Sequence, residues 1–250
     1  MKEKYRHELK YLISNEAKDV MCLKMKEIFK MDSHAQSGGY VIRSIYFDDY
    51  WNSALNDKDN GILERSKWRI RIYNYSDESI KLERKKKFGN YIYKESAALT
   101  KEEALKLIEG DFCFLLKMEN ELLKQFYVDC ISRLMKPRVI VDYERIPFIM
   151  DGGTVRVTFD MNVRAAILSN NIFDDKLPTL SCIESGKCIM EVKFTEFLPQ
   201  MVRDIVPSGA ADITVFSKYV TCAQKTGYLH GCGYFEDTDR PRADMVGGLK

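Results

Sequence analysis

Histidine is nearly missing from this sequence, with three in 250 residues, so the commonest general base at neutral pH is in short supply. No Ser/His/Asp or Cys/His arrangement can be read, which argues against a covalent nucleophile. There is no Walker-type glycine loop either; Gly38-Gly39 reads as a turn into a strand, not as a phosphate cradle. The seven cysteines, at 22, 113, 130, 182, 188, 222 and 232, show no C-x-x-C spacing, and their odd number speaks against a disulfide framework. They read as reduced thiols of a cytoplasmic protein. No stretch approaches the roughly 18 apolar residues of a membrane helix, and the start MKEKYRHELK has no apolar signal core. A soluble chain without a transmembrane segment is expected. Net charge is scarce as well: 39 Lys and Arg against 37 Asp and Glu leave +2, which excludes a surface coated in positive potential for duplex nucleic acid. Any polyanion site must come from local segregation of charge.

What the sequence does have is length and alternation. With 250 residues, 45% of them hydrophobic, it can bury a sizeable core, and one domain over residues 1–225 with a poorly ordered tail at 226–250 is the default. Period-2 patterning predicts strands at 5–13, 40–48, 66–75, 79–87, 90–98, 138–149, 154–161 and 187–194, with a further element at 212–222 that reads as a strand or, at Lys218, as a helix end. Asp151-Gly152-Gly153 reads as a hairpin turn. Helices are expected at 16–30, from the capping box Thr100/Glu103 to Gly110, and at 119–135, where Pro137 should stop the chain from continuing. Residues 168–186 read as a long loop, and no internal repeat is found.

The faces of these strands differ in chemistry. In SKWRIRIY, residues 66–73, Lys67, Arg69 and Arg71 share one face and Trp68, Ile70 and Ile72 the other. Lys81, Glu83, Lys85 and Lys87 align on the next strand; Arg156, Thr158 and Asp160 oppose Val155, Val157 and Phe159; Glu191 and Lys193 oppose Met190, Val192 and Phe194. Near the start, Arg6, Glu8 and Lys10 alternate with His7, Leu9 and Tyr11. A solvated outer face would explain any one strand. Arginine recurring on several strands, each time backed by β-branched or aromatic residues, favours an inward face, because its planar fork of donors matches phosphate oxygens. The expected fold is α+β and mainly β: a closed antiparallel barrel of about eight strands around a charged tunnel, with helices packed outside. Trp68 on the apolar face speaks against single-stranded nucleic acid as ligand.

The fragments R-H-E-L-K-Y (6–11), S-I-Y-F-D (44–48), K-W-R-I-R (67–71), L-E-R-K-K (82–86), Y-I-Y-K-E-S (91–96), Y-E-R (143–145), R-V-T-F-D (156–160), M-E-V-K-F (190–194) and S-K-Y (217–219) carry a resemblance in their order and spacing. The chain resembles the triphosphate tunnel metalloenzymes, the CYTH-like superfamily, and within them the catalytic domain of VTC (vacuolar transporter chaperone) polyphosphate polymerases. The resemblance implies phosphate binding by Lys10, Arg69, Arg71, Lys85, Lys94, Arg145, Arg156 and Lys218, with Arg69, Arg71 and Arg156 catalytic and Glu191 the ligand of Mn²⁺ or Mg²⁺. Glu8, Glu83 and Asp160 would be supporting acids, Asp160 orienting an arginine. CYTH-type hydrolases open with E-x-E-x-K, whereas here Arg6 replaces the first acid; a lost ligand and a gained cation favour a polymerase. The implied reaction moves the γ-phosphate of ATP onto inorganic polyphosphate. An inorganic or nucleoside triphosphatase of the same fold, or a non-catalytic polyphosphate or nucleotide binder, are the alternatives. The inositol-phosphate-sensing domain and membrane helices of eukaryotic members are not in this sequence, so a stand-alone enzyme is expected.

Overall fold

The computed structural model describes residues 7–32, 35, 38–89, 91–150, 155–167, 169–195, 197–206, 210–213 and 216–227. In chain order its elements are β1 (His7–Ser14), α1 (Asn15–Lys26), β2 (Lys30–Met31), β3 (Tyr40–Asp48), α2 (Ser53–Asp59), β4 (Glu64–Tyr73), β5 (Ser76–Phe88), β6 (Tyr91–Leu99), α3 (Lys101–Glu109), a 3₁₀ turn (Cys113–Lys117), α4 (Glu121–Arg133), β7 (Lys136–Ile149), β8 (Val155–Ala166), β9 (Thr179–Ser181), β10 (Lys187–Phe194), α5 (Gln200–Ile205), β11 (Ala211–Asp212) and α6 (Lys218–Thr226). Arg6, the 151–153 turn, His34, His230 and Cys232 lie outside the described residues.

The strands form one antiparallel sheet in the order β11-β1-β10-β8-β7-β3-β4-β5-β6, with β2 on β7 and β9 on β8. The expected closed barrel is corrected here: among the described residues no ladder joins β6 to β1 or β11. The sheet curls until its two edges meet through side chains. Lys85 Nζ donates to Glu8 Oε2 at 2.8 Å, and the rings of His7 and Tyr91 approach to 6.4 Å. Main-chain closure is blocked on part of this edge because β1 is already paired there. Tyr11 and Leu12 face Asp212 and Ala211, and Ile213 donates its N–H to the Lys10 carbonyl at 2.9 Å.

Alternation decides what each face packs against. The outward Trp68, Ile70, Ile72 and Leu82 are buried against α3 and α4, around Leu107, Leu123 and Phe126. Trp68 is 1% exposed and gives its indole N–H to Asp129 at 2.7 Å. Val155, Val157, Phe159, Met190 and Val192 are covered by α1 and α5, through Met21, Met25 and Val202. Burying each such side chain contributes about 1.5–3 kcal/mol.

A second correction concerns α6. Among the described residues of 212–222, Asp212 belongs with Ala211 to β11 and the rest is not strand; Lys218 begins the helix Lys218–Thr226, the helix-end reading of that residue. Nor does this helix lie outside. Ile42, Tyr46, Val141, Tyr143 and Ile189 share the inner face with the charged residues, and Tyr219, Val220, Cys222 and Ala223 of α6 pack on them. The inner face is apolar along part of its length, so it needs an apolar cover, and α6 supplies it.

Smaller differences have local causes. The β4–β5 connection is a two-residue turn with Asn74 and Tyr75 at φ 50° and 59°, the mirror-image geometry that fits strand twist; the Arg43 guanidinium lies 4.4 Å from the Tyr75 ring centroid. Helix α4 ends at Leu134, in the left-handed region at φ 53°, before Pro137, which is already in β7. The Thr100/Glu103 capping box and the Gly110 C-cap of α3 are as expected. Gly39 leads into β3, where a Cβ would sit 2.8 Å from the Arg145 carbonyl oxygen.

Candidate functional site

A cavity of about 590 Å³ opens on the inner face. Strand alternation delivers its cations in rows. Arg65, Lys67, Arg69 and Arg71 line it from β4, and Lys85 and Lys87 from β5. The register sets Lys67 across from Lys85 and Arg65 across from Lys87. Like charges placed directly across a ladder repel, so this arrangement suits a site that receives an anion.

Deeper in, arginines are held in fixed poses. Arg69 donates Nε and Nη2 to Glu83 Oε2 at 2.8 and 2.6 Å and Nη1 to the Tyr46 hydroxyl at 2.9 Å. Arg71 donates to Ser44 Oγ at 3.2 Å and to the Tyr143 hydroxyl at 3.1 Å. Glu83 is 1% exposed. Burial opposes its charge, but Arg69, Arg71 and Lys94 outweigh this and hold its carboxyl far below the usual range.

Around Glu191 lies a second cluster. Its Oε1 accepts from Lys218 at 2.8 Å, and its Oε2 from Lys193 at 2.8 Å and Arg145 at 3.2 Å. Asp160 takes Arg145 in a bidentate grip at 2.6 and 2.7 Å and Lys218 at 2.5 Å. Burial opposes the Glu191 charge, and Lys193, Lys218 and Arg145 more than reverse it. Lys218 is the first residue of α6, whose cap is Ser217, so the positive end of that helix faces the cavity. Lys10 donates to the Phe216 carbonyl at 2.7 Å. Burial lowers its ammonium to about 8, with Glu8 pulling the other way.

Seven of the nine residues expected from sequence therefore meet in one space: Lys10, Arg69, Arg71, Lys85, Arg145, Lys218 and Glu191 all line the cavity. The other two do not line it. Lys94 binds Glu83 Oε1 at 2.9 Å with its side chain 51% exposed. Arg156 is turned to Asp32 at 2.6 Å and the Tyr40 hydroxyl at 3.2 Å. Asp160 and Glu83 orient arginines, while Glu8 binds Lys85 at 2.8 Å and Lys193 at 3.8 Å. Arg65, Tyr46 and Tyr143 were missed. Arg65 shares the parity of Arg69 and Arg71 on β4, and Tyr143 that of Arg145 on β7, so both were legible from residues already chosen, whereas no residue of β3 pointed to Tyr46. Phe216 and Ser217 enter only because α6 turns inward.

The metal implied for such a site is tested by its donors. Among the described residues no group of three His, Cys, Asp or Glu could cage an ion. Glu191 is nevertheless a cavity-facing carboxylate, and Thr158, its cross-strand neighbour, has a buried hydroxyl oxygen with no hydrogen-bond partner among the described residues. A hard cation that keeps its waters and phosphate oxygens needs only one or two carboxylates. The residues fit an ion carried in with phosphate, not one held by protein alone.

A curled antiparallel sheet around a cation-lined cavity is the fold of the triphosphate-tunnel, CYTH-like class. Within that class the chain belongs to the VTC domain family, whose model matches residues 5–226. Among solved structures, a presumed adenylate cyclase of Bacillus halodurans is similar in fold, with TM-score 0.51 and 14% identity over 83% of this chain and 95% of that one. A Pyrococcus horikoshii protein follows with TM-score 0.47 and 14% identity over 88% and 99% of the two chains. No curated protein matches the chain. No helix among the described residues is long and apolar enough to cross a membrane.

Proposed function

We propose that this chain is a cytoplasmic polyphosphate polymerase that transfers the γ-phosphate of ATP to the end of an inorganic polyphosphate. The observation that carries the reading is the convergence of lysines and arginines from β1, β4, β5, β7, β10 and α6 on one cavity, with the arginines held by buried acids before any substrate arrives.

Phosphoryl transfer asks little covalent chemistry of a protein and much alignment and charge stabilisation. A terminal phosphate oxygen of the acceptor chain attacks the γ-phosphorus. One P–O bond forms, the bond from the γ-phosphorus to the β–γ bridging oxygen breaks, and ADP leaves with that electron pair. The nucleophile is already anionic, so no base is required. Arg69 and Arg71, which Glu83 and the two tyrosines hold in place, stabilise charge on the transferring group; Lys10, Lys85, Arg145 and Lys218 hold the neighbouring phosphates. Lys94 and Arg156, outside the lining, take flanking roles. A bound Mn²⁺ or Mg²⁺, with Glu191 as its protein ligand, would supply further charge neutralisation.

A triphosphatase is the second reading, and one feature favours it: α6 covers part of the inner face, which suits a pocket better than a passage for polymer. Incubation with ATP and Mn²⁺, followed by gel separation, tells the two apart. Long-chain phosphate is the expected product. Orthophosphate alone would make the protein a hydrolase. No metal-dependent turnover, with binding intact, would make it a binding module.

A further inference from the structure

One mouth of the cavity carries aromatic rings that phosphate binding leaves unused. His7 and Phe194 are cross-strand partners where β1 begins and β10 ends. Their rings stack, with centroids 5.1 Å apart and planes 25° apart. Across the seam, Tyr91 at the start of β6 approaches His7 to 6.4 Å at 45°, and it is 50% exposed. His7 and Phe194 alternate with the charged residues of their strands, yet at these strand ends both line the cavity, as do Ile92, Arg65 and Lys87; Tyr91 is not part of the lining and stands beside His7 at the rim. Register places Ile92 opposite Lys87 and Lys87 opposite Arg65, so the rings and these two cations share one end of the site. A phosphate chain is polar all round and gains nothing from a flat apolar wall. A nucleobase has two π-faces and stacks on such walls whatever its edge pattern.

We propose that His7, Phe194 and Tyr91 form a nucleoside subsite, which holds the base of a nucleoside triphosphate by stacking while its phosphates pass Arg65 and Lys87 into the cavity. The proposal rests on the reading that a triphosphate occupies the cavity. It adds which triphosphates are taken. Among the described residues the lining contains no Asn or Gln, side chains that read base edges through paired hydrogen bonds. Stacking area then dominates, and adenine and guanine are accepted alike.

Calorimetry on the full chain tests this with ATP, GTP and ribose 5′-triphosphate, which keeps the sugar and phosphates but has no base. ATP and GTP are expected to bind about tenfold more tightly than ribose 5′-triphosphate, the scale of one base–aromatic stack. His7→Ala and Tyr91→Ala should each remove most of that advantage and leave ribose 5′-triphosphate binding unchanged. Equal affinities in the unmodified protein, or an advantage that survives both substitutions, would overturn the subsite and leave the phosphate cavity standing. Parallel loss of ATP and ribose 5′-triphosphate binding in both variants also counts against it. If no triphosphate binds the unmodified protein, the cavity reading falls and the subsite with it.

Discussion

The cavity's strongest cations are its most constrained ones. Arg69 is tied to Glu83 and Tyr46, and Arg71 to Ser44 and Tyr143, so little reorganisation is needed when charge develops between them. Arg69→Ala and Arg71→Ala should each lower the turnover rate by roughly 10²–10³, read as initial rates at saturating ATP. Arg156→Ala, outside the lining, should cost about tenfold or less in the same assay. Glu83→Gln leaves both arginines without their buried counter-charge and should destabilise the fold by about 3–5 kcal/mol, measured by urea unfolding. Lys10 gives the site its own pH dependence. Its charge is lost as pH rises through about 8, and a bound polyanion favours the charged form. Affinity for tripolyphosphate should therefore fall from about pH 7 to about pH 9, with proton uptake on binding near the middle of that range. Calorimetry in two buffers of different protonation enthalpy checks this, and Lys10→Met should abolish the uptake.

Among the elements, α6 most directly joins fold to chemistry. Its apolar side is held by the inner face of the sheet, and its first residue, Lys218, closes the cluster at Glu191 and Asp160. The Tyr219 hydroxyl donates to Asp48 Oδ2 at 2.6 Å, and the same carboxylate accepts the Ala54 N–H at 2.9 Å and the Leu55 N–H at 3.0 Å at the start of α2. Asp48 thus links β3, α2 and α6 from a position 1% exposed. Tyr219→Phe removes a hydrogen bond to a charged group and should cost about 1.5–3 kcal/mol in urea unfolding. Its phosphate affinity should fall too, because Lys218 is set by the seating of this helix.

For the whole molecule, acids buried among cations couple folding to protonation. Burial works against charge in Glu8, Glu83 and Glu191, yet neighbouring lysines and arginines hold all three below the ordinary value of 4.5. A carboxylate depressed in the folded state stabilises fully above its unfolded value and loses that contribution as pH falls towards the folded one. The midpoint of thermal unfolding should be level from about pH 7 to about pH 5 and fall steeply below about pH 4.5. Phosphate bound in the cavity, which binds the folded state alone, should raise the midpoint in proportion to the logarithm of its concentration. Thermal scans across pH and tripolyphosphate concentration measure both.

Alternation was enough to separate the faces of β4, β5, β8 and β10, because a strand's side chains reverse direction at every residue whatever lies around it. From that alone Arg69, Arg71, Lys85 and Glu191 could be put on charged faces and Trp68 on an apolar one. The capping box of α3 was legible for the same reason: its partners are three residues apart. Other features were settled only in three dimensions. That α6 turns inward depends on an apolar stretch assembled from Ile42, Val141 and Ile189, residues far apart in the chain. That Arg156 faces Asp32 and Lys94 stays at the rim depends on where neighbouring strands end. The sheet curls without a closing ladder because residues 211–213 take main-chain groups of β1, a competition between distant segments that no local pattern records. Local geometry determined which side chains point together; long-range packing decided which of them meet.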